Sequence, residues 1–221
     1  MVFFGGGEGG NELLPYVDFD MIAAHPKIAL SYSDGTTLLQ AIHAKTGQVT
    51  YYGQTPGDWA DLRHYTYTQF AAHFHQDCPA EMAHNSPWRT LHPGVCEGTL
   101  TGGYLGLTAR MLGGPYFAYD PTQRYILFLE DHQRFSEVAA VSAYLSHIEQ
   151  HPFMESVAGV LFGHYAADEQ PQLWERLARL GRAHGIPVVY CDDFGHGVNH
   201  GILPIGVPAQ LDADAHVLRF L

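Results

Sequence analysis

Residues 28–47 read Ile-Ala-Leu-Ser-Tyr-Ser-Asp-Gly-Thr-Thr-Leu-Leu-Gln-Ala-Ile-His-Ala-Lys-Thr-Gly, and they combine a strand, a sharp turn and a helix. The apolar run at 28–30 predicts a short strand, and the spacing of the later apolar residues predicts a helix from about Asp34 to Thr46. Gly47 is the residue expected just after a helix, because glycine readily adopts the left-handed conformation there. Ser33 therefore stands at the tip of a strand-turn-helix junction.

Strand and helix patterns alternate on both sides of this junction. Further strands are predicted at 2–4, 49–52, 125–129, 157–162 and 188–190, and further helices at 59–74, 136–150 and 171–184. Residues 212–220 predict a last strand at a sheet edge. Alternation of this kind indicates right-handed βαβ crossovers and a mostly parallel sheet, which is an α/β fold.

Residues 76–97 contain three prolines and no periodicity, which predicts a linker. We therefore expect an N-terminal domain at 1–80, a linker at 81–97 and a C-terminal domain at 98–221. The glycine run at 5–10 follows the first predicted strand directly. Since chain termini usually lie at the surface, this opening predicts an N-terminal domain whose first strands are missing upstream.

Composition narrows the class of protein. The chain has 221 residues, 46% of them hydrophobic, and a formal net charge of −12, which argues against a nucleic-acid partner. No apolar run approaches the length of a membrane span, and the N terminus lacks the basic region of a signal peptide. The three cysteines are widely spaced and odd in number, so a disulfide framework is not expected. These features predict a soluble cytoplasmic protein without a membrane partner.

The stretch Ser31-Tyr32-Ser33-Asp34-Gly35 permits two interpretations. A nucleophile elbow needs this strand-turn-helix context, because the turn exposes the serine hydroxyl and the next amide can bind an oxyanion. The usual elbow pattern is G-x-S-x-G, and Ser31 stands where the first glycine would be. Alternatively, Ser33 or Asp34 simply caps the helix.

A serine nucleophile needs a base and a group that orients the base. Glu130 and Asp131 end one apolar strand, and His196 follows the strand at 188–190. Ligands of open α/β sheets bind at the carboxyl ends of strands, where these residues are predicted. Taken singly, each also fits a solvated strand end or an ordinary loop residue.

A metal site is the competing interpretation. His196 and His200 lie four residues apart, Asp192 and Asp193 are close in sequence, and His73 and His75 form another pair. Histidines four apart share one face only on a helix, and the glycines around His196 disfavour a helix. The glycine run at 5–10 lacks the G-K-[ST] ending of a phosphate loop. No metal and no phosphate site is therefore predicted.

Several stretches together closely resemble the LD-carboxypeptidase family, which includes muramoyltetrapeptide carboxypeptidases and microcin C immunity peptidases. The matching motifs run in order along nearly the whole chain: Asn11–Asp18, His25–Ile28, Tyr32–Asp34, Lys45–Gly47, Gly98–Gly103, Ile126–Asp131, Phe194–His196 and Leu203–Gly206. The first of these and the segment around Trp88 are more similar to the microcin-immunity branch.

The resemblance implies a Ser-Glu-His triad at Ser33, Glu130 and His196, with an oxyanion hole from the amides of Asp34 and Gly7. It implies an incomplete N-terminal parallel-sheet domain that carries the serine and a C-terminal swivelling-type α/β domain that carries the other two residues. It also implies a small peptide substrate, no cofactor and a homodimer.

Two positions depart from the family pattern besides the missing upstream segment. Ser31 replaces a glycine, and the family's Gly-Gly-Asn is Gly102-Gly103-Tyr104, which we expect to alter the pocket. The predicted function is hydrolysis of an amide bond in a murein-type peptide or a microcin-type peptidyl compound. The alternative is an inactive truncated remnant that serves as a dimerising or binding module.

Overall fold

The computed structural model describes residues 2–3, 6–76 and 78–221, and it is a mixed α/β structure. The strands are β1 (Val2–Phe3), β2 (Ala29–Ser31), β3 (Thr50–Tyr52), β4 (Arg89–His92), β5 (Val95–Tyr104), β6 (Tyr125–Glu130), β7 (Val157–His164), β8 (Val188–Gly195), β9 (Leu203–Ile205), β10 (Pro208–Asp212) and β11 (Val217–Phe220). The helices are α1 (Gly10–Leu13), α2 (Phe19–Ala24), α3 (Thr36–Thr46), α4 (His64–Phe74), α5 (Leu105–Met111), α6 (Val138–Gln150) and α7 (Pro171–His184). The predicted α/β class is confirmed.

The smaller sheet contains the serine junction. Its order is β1-β2-β3-β9, with β1, β2 and β3 parallel and β9 antiparallel to β3. Strand β9 comes from the far end of the chain, so the last part of the sequence completes the sheet that the first part begins.

The larger sheet has the order β11-β10-β5-β6-β7-β8-β4 in the described residues. Strands β5 to β8 are parallel, while β4, β10 and β11 join antiparallel at the two sides. Along β6, Leu127 and Leu129 enter one hydrophobic cluster, and Ile126 and Phe128 enter the other. The central strand is therefore buried on both faces, as parallel strands usually are, which explains its unbroken apolar sequence.

Most predicted elements form close to where the pattern placed them. The helix after Ser33 begins with a 3-10 turn at Ser33–Gly35 and continues as α3, and Gly47 ends it in the left-handed conformation. The predicted edge strand is β11, which lies at the end of the larger sheet. In the predicted strand at 2–4, Phe4 lies outside the described residues, as does Gly5 of the glycine run.

The stretch predicted as a linker is partly ordered as strand. Residues 89–92 form β4, which pairs with β8 at one edge of the larger sheet, and β5 begins at Val95. None of the helices in the described ranges combines the length and apolar character needed to cross a lipid bilayer.

Candidate active site

Ser33 lies at the tip of the β2–α3 junction in an unusual backbone conformation. Its φ is +58°, in the left-handed region that residues with a side chain rarely adopt. Two hydrogen bonds hold the turn: the Gly35 N–H donates to the Tyr32 carbonyl at 3.1 Å, and the Ser33 N–H donates to the Tyr52 hydroxyl at 3.1 Å. Strain of this kind persists only where the surroundings enforce it, and it is typical of functional turns.

Glu130 reaches the same point from the larger sheet. It ends β6 and is fully buried. One carboxylate oxygen, Oε1, accepts a hydrogen bond from the Tyr52 hydroxyl. Tyr52 thus accepts from the Ser33 amide and donates to Glu130, and burial together with Glu130 holds the pKa of Tyr52 well above its ordinary value. This phenol therefore remains a hydrogen-bond donor across the working range of pH.

His196 completes the arrangement. Its Nδ1 lies 2.9 Å from Glu130 Oε2, and its Nε2 lies 2.9 Å from Ser33 Oγ. Gly195 lets the chain turn here: its φ is +101°, and a Cβ at this position would lie 3.0 Å from the Glu130 Cβ. The structure thus brings together the three side chains that sequence reasoning selected, although 163 residues separate Ser33 from His196.

The charges around His196 favour its protonated form. Burial acts to lower the pKa of His196, but the hydrogen bond to Glu130 and the negative charges of Glu130, Asp131 and Asp58 outweigh burial. The net effect raises the pKa of His196 above its ordinary value. An imidazole held in this way accepts a proton from Ser33 readily, which is the property of a general base.

The glycine turn before α1 lies against the serine junction. The Gly10 N–H donates to Asp34 Oδ2 at 2.7 Å, so the Asp34 side chain ties this turn to the residue after Ser33. A Cβ on Gly6 would lie 3.7 Å from Ser33 Oγ, which places the turn beside the hydroxyl. Gly7 is exposed and has a φ of +133°. Asp34 and Gly7 are thus both in the neighbourhood of Ser33.

Three aromatic rings surround the imidazole of His196. The ring centroids of Tyr32, Phe135 and Tyr104 lie 5.1, 5.3 and 5.5 Å from the His196 centroid, all close to edge-on. Beyond Tyr32, His200 Nε2 lies 3.5 Å from Asp58 Oδ1. The rings limit the access of water to the imidazole, which strengthens its polar contacts.

Three residues of this site were missed by sequence reasoning. Tyr52 was recognised only as part of a strand, and Asp58 and Phe135 were not singled out at all. The one signal for Tyr52 is positional: it ends β3, where its backbone is in register with Ser31 on the neighbouring strand β2. Its contact with Glu130 depends on the larger sheet lying against the smaller one, which the sequence pattern does not show.

The histidine and aspartate side chains considered for a metal site each contact a different group. His200 contacts Asp58, and Asp192 Oδ1 lies 2.7 Å from His164 Nδ1. Asp193 instead accepts hydrogen bonds from the Trp88 indole and the Asn85 amide. In residues 6–76 and 78–221, no three histidine, cysteine or carboxylate side chains converge as ligands of one ion.

Known proteins resemble this chain over most of its length. A Bacillus subtilis (strain 168) protein named "Putative carboxypeptidase YocD" is 30% identical over 94% of this chain and 71% of its own length. The microcin C7 self-immunity protein MccF of Escherichia coli is 28% identical over 95% of this chain and 70% of its own. The crystal structure of muramoyltetrapeptide carboxypeptidase from Oxalobacter formigenes superposes with a TM-score of 0.80 at 26% identity, covering 98% of this chain and 75% of that one.

Family models agree with these pairwise similarities. The LD-carboxypeptidase N-terminal domain matches residues 1–53, and the LD-carboxypeptidase C-terminal domain matches residues 97–211. The first match contains Ser33, and the second contains Glu130 and His196. The chain belongs to the LD-carboxypeptidase family.

Proposed function

We propose that this protein is a serine-type LD-carboxypeptidase-like hydrolase. The observation that carries the proposal is the continuous hydrogen-bonded line from Ser33 Oγ through His196 to Glu130, with both distances at 2.9 Å. A nucleophile, a base and a carboxylate that orients the base are the parts needed for acyl transfer through a covalent intermediate.

Each residue has a defined role in this mechanism. Ser33 Oγ attacks the carbonyl carbon of the scissile amide, and His196 Nε2 accepts the hydroxyl proton. His196 then donates that proton to the leaving amine, so that the acyl group remains on Ser33. Water then attacks the ester carbonyl while His196 takes its proton, and His196 returns that proton to Ser33 Oγ as the carboxylic acid leaves. Glu130 keeps the proton on Nδ1 and stabilises the imidazolium.

The negative charge of the tetrahedral intermediate needs donors beside Ser33. We assign this role to the backbone N–H groups of Asp34 and Gly7. Asp34 follows Ser33 in the 3-10 turn Ser33–Gly35, and the first backbone N–H groups of a helix have no acceptor within that helix. The hydrogen bond from Gly10 to Asp34 supports this assignment, because it holds the glycine turn against the serine.

The names of the relatives support the substrate class. We propose an amide bond of a murein-type peptide or a microcin-type peptidyl compound. We also propose an N-terminal domain at 1–80, a linker at 81–97 and a C-terminal domain at 98–221, supported by the separate family matches at 1–53 and 97–211; β9 of the C-terminal part crosses over to pair with β3 in the smaller sheet. A homodimer and a cytoplasmic location remain predictions, which analytical ultracentrifugation and cell fractionation test.

The decisive experiment is a peptidase assay with a stereochemical control. Purified protein is incubated with murein tetrapeptide, with an aspartyl-sulfamoyl nucleoside and with a tetrapeptide whose last residue is L, and the products are separated by chromatography. We expect release of the last residue from murein tetrapeptide or of aspartate from the aspartyl-sulfamoyl nucleoside. We expect no cleavage of the tetrapeptide whose last residue is L.

Ser33→Ala is the matched variant. We expect it to lose activity by several orders of magnitude while it keeps the wild-type circular dichroism, since it removes only one oxygen atom. A folded wild-type protein that cleaves neither compound would instead favour the non-catalytic alternative. Undiminished turnover by Ser33→Ala would exclude the serine mechanism.

A further inference from the structure

Tyr104 is fixed at both ends. Its backbone N–H donates to Thr36 Oγ1 at 3.0 Å, and its hydroxyl donates to Asp131 Oδ1 at 2.8 Å. The preceding Gly103 permits this approach, because a Cβ there would lie 2.6 Å from the Thr36 methyl carbon. The Tyr104 ring is therefore held between the start of α3 and the end of β6.

The fixed ring of Tyr104 lies against His196. The two ring centroids are 5.5 Å apart, and their planes meet at 71°, an edge-on contact. The Tyr32 ring makes a similar contact at 5.1 Å and 61°. His196 must present one nitrogen to Ser33 and the other to Glu130 at the same time, and edge-on neighbours restrict rotation of the imidazole away from that plane.

Asp131 is a fully buried carboxyl group that the proposed mechanism does not use. Besides the Tyr104 hydroxyl, its Oδ1 accepts the His132 N–H at 2.7 Å. The pKa of Asp131 is raised to about 6, mainly by burial and also by the charge of Glu130. Hydrogen bonds with Tyr104, His132 and Ser136 act in the opposite direction. Burying a second carboxyl group beside Glu130 costs free energy, so Asp131 contributes more than packing to this part of the structure.

We propose that Tyr104 and Asp131 are positioning residues for His196: Asp131 anchors the Tyr104 hydroxyl, and the Tyr104 ring keeps the imidazole aligned with both Ser33 and Glu130. The proposal rests on the function proposed above.

Asp131 also contributes charge to the imidazole. The groups that face His196 come from several elements: Glu130 at the end of β6, Asp131 and His132 in the loop after it, Asp58 in the 3-10 segment Pro56–Trp59, His200 beyond the Tyr32 ring, and the phenols of Tyr32 and Tyr104. The carboxylates raise the pKa of His196, and Asp131 is one of three that do so. Removing its charge should therefore lower that pKa.

The chain contains a matched control for this pair. Tyr190 donates its hydroxyl to Asp192 Oδ1 at 2.8 Å, the same contact at the same distance as between Tyr104 and Asp131. Asp192 is not among the leading causes of the pKa shift of His196, whereas Asp131 is one of them. Tyr190→Phe therefore removes the same kind of tyrosine–carboxylate contact away from the imidazole, and Asp192→Asn removes a carboxylate charge together with its 2.7 Å contact to His164.

The first measurement is independent of any substrate. The pKa of His196 is read by NMR titration of protein labelled with 15N-imidazole histidine, with the signal assigned through His196→Gln. We expect Asp131→Asn to lower this pKa by about half a unit or more, as loss of a nearby negative charge should. We expect no shift in Asp192→Asn. Equal pKa values in wild type and Asp131→Asn, or equal shifts in both variants, would overturn the proposal.

The second measurement tests alignment by the ring. We expect Tyr104→Phe to reduce kcat about tenfold with KM changed less than about threefold, because the ring remains but loses its anchor. Tyr190→Phe should keep wild-type kcat. Equal kcat values for Tyr104→Phe and wild type would overturn the ring's role. If the wild-type protein cleaves no substrate, the proposed function fails, while the NMR titration still decides whether Asp131 acts on His196.

Discussion

Removal of the Tyr52 hydroxyl is the change that best tests how the two sheets are joined at the candidate site. This hydroxyl accepts the Ser33 N–H at 3.1 Å and donates to Glu130 Oε1. Tyr52 and Glu130 are both fully buried. Tyr52→Phe removes one oxygen atom and leaves a backbone donor and a carboxylate oxygen without their partner.

The expected magnitude follows from those two groups. A buried polar group without a partner costs about 1–3 kcal/mol, and more when it is charged. We therefore expect Tyr52→Phe to lower the free energy of unfolding by about 2–5 kcal/mol, a large part of the roughly 5–15 kcal/mol typical of a folded domain. We also expect kcat to fall about tenfold to a hundredfold, because the strained Ser33 turn loses a hydrogen bond that holds it.

Urea denaturation and steady-state kinetics measure the two effects, with Tyr65→Phe as the control. Tyr65 is also buried, but its hydroxyl donates to a single neutral group, the Ala83 carbonyl, at 2.9 Å. Tyr65→Phe should cost about 1 kcal/mol and leave kcat unchanged. A loss of stability in Tyr52→Phe no larger than in Tyr65→Phe, with kcat at the wild-type level, would refute the reasoning.

Three further outcomes are expected. The acid limb of kcat/KM should lie above the ordinary histidine pKa of about 6.5, because His196 must be neutral to act as a base and its surroundings raise its pKa; a pH profile with a lower limb would contradict this. Gly102→Ala should destabilise the protein by about 3 kcal/mol or more in urea denaturation, since φ is +140° and a Cβ would lie 1.8 Å from the Phe128 carbonyl oxygen; Gly57→Ala, with its nearest contact at 3.7 Å, should cost far less. Activity should survive dialysis against a chelator, because the serine route needs no Lewis acid, and activity restored only by added zinc would argue for a metal mechanism.

Local signals along the chain were sufficient to predict most of the elements. The helix α7 begins at Pro171 and ends before Gly185, as proline and glycine at these positions predict. Ser33 was visible as a residue at a strand-turn-helix tip. Its assignment as a nucleophile, together with Glu130 and His196, depended on the family resemblance, because fifteen histidines make any single one uninformative.

Contacts between distant segments could not be read from the sequence. Tyr52 and Glu130 are 78 residues apart, and their hydrogen bond depends on how the two sheets lie against each other. Strand β4 was not predicted, because it lies between Pro87 and Pro93 in a stretch without periodicity. It forms by pairing with the edge of β8, with an irregular register between Thr90 and His92. Strand β9 was not predicted: it is three residues long and contains Pro204, and it forms by pairing with β3 in the smaller sheet.

That last connection explains how the candidate site keeps its geometry across two sheets. The chain leaves β8 in the larger sheet, passes through His196 and enters β9, which pairs with β3 in the smaller sheet. Strand β3 ends in Tyr52, and its other neighbour, β2, leads directly into Ser33. The segment that carries the proposed base is thus pinned by backbone pairing to the strand beside the proposed nucleophile. Strand β8 holds one end of the His196 segment in the larger sheet, and β9 holds the other end beside β3. The spacing between Ser33 and His196 therefore depends on sheet register, and the side-chain contacts of Tyr52 and Tyr104 refine this alignment.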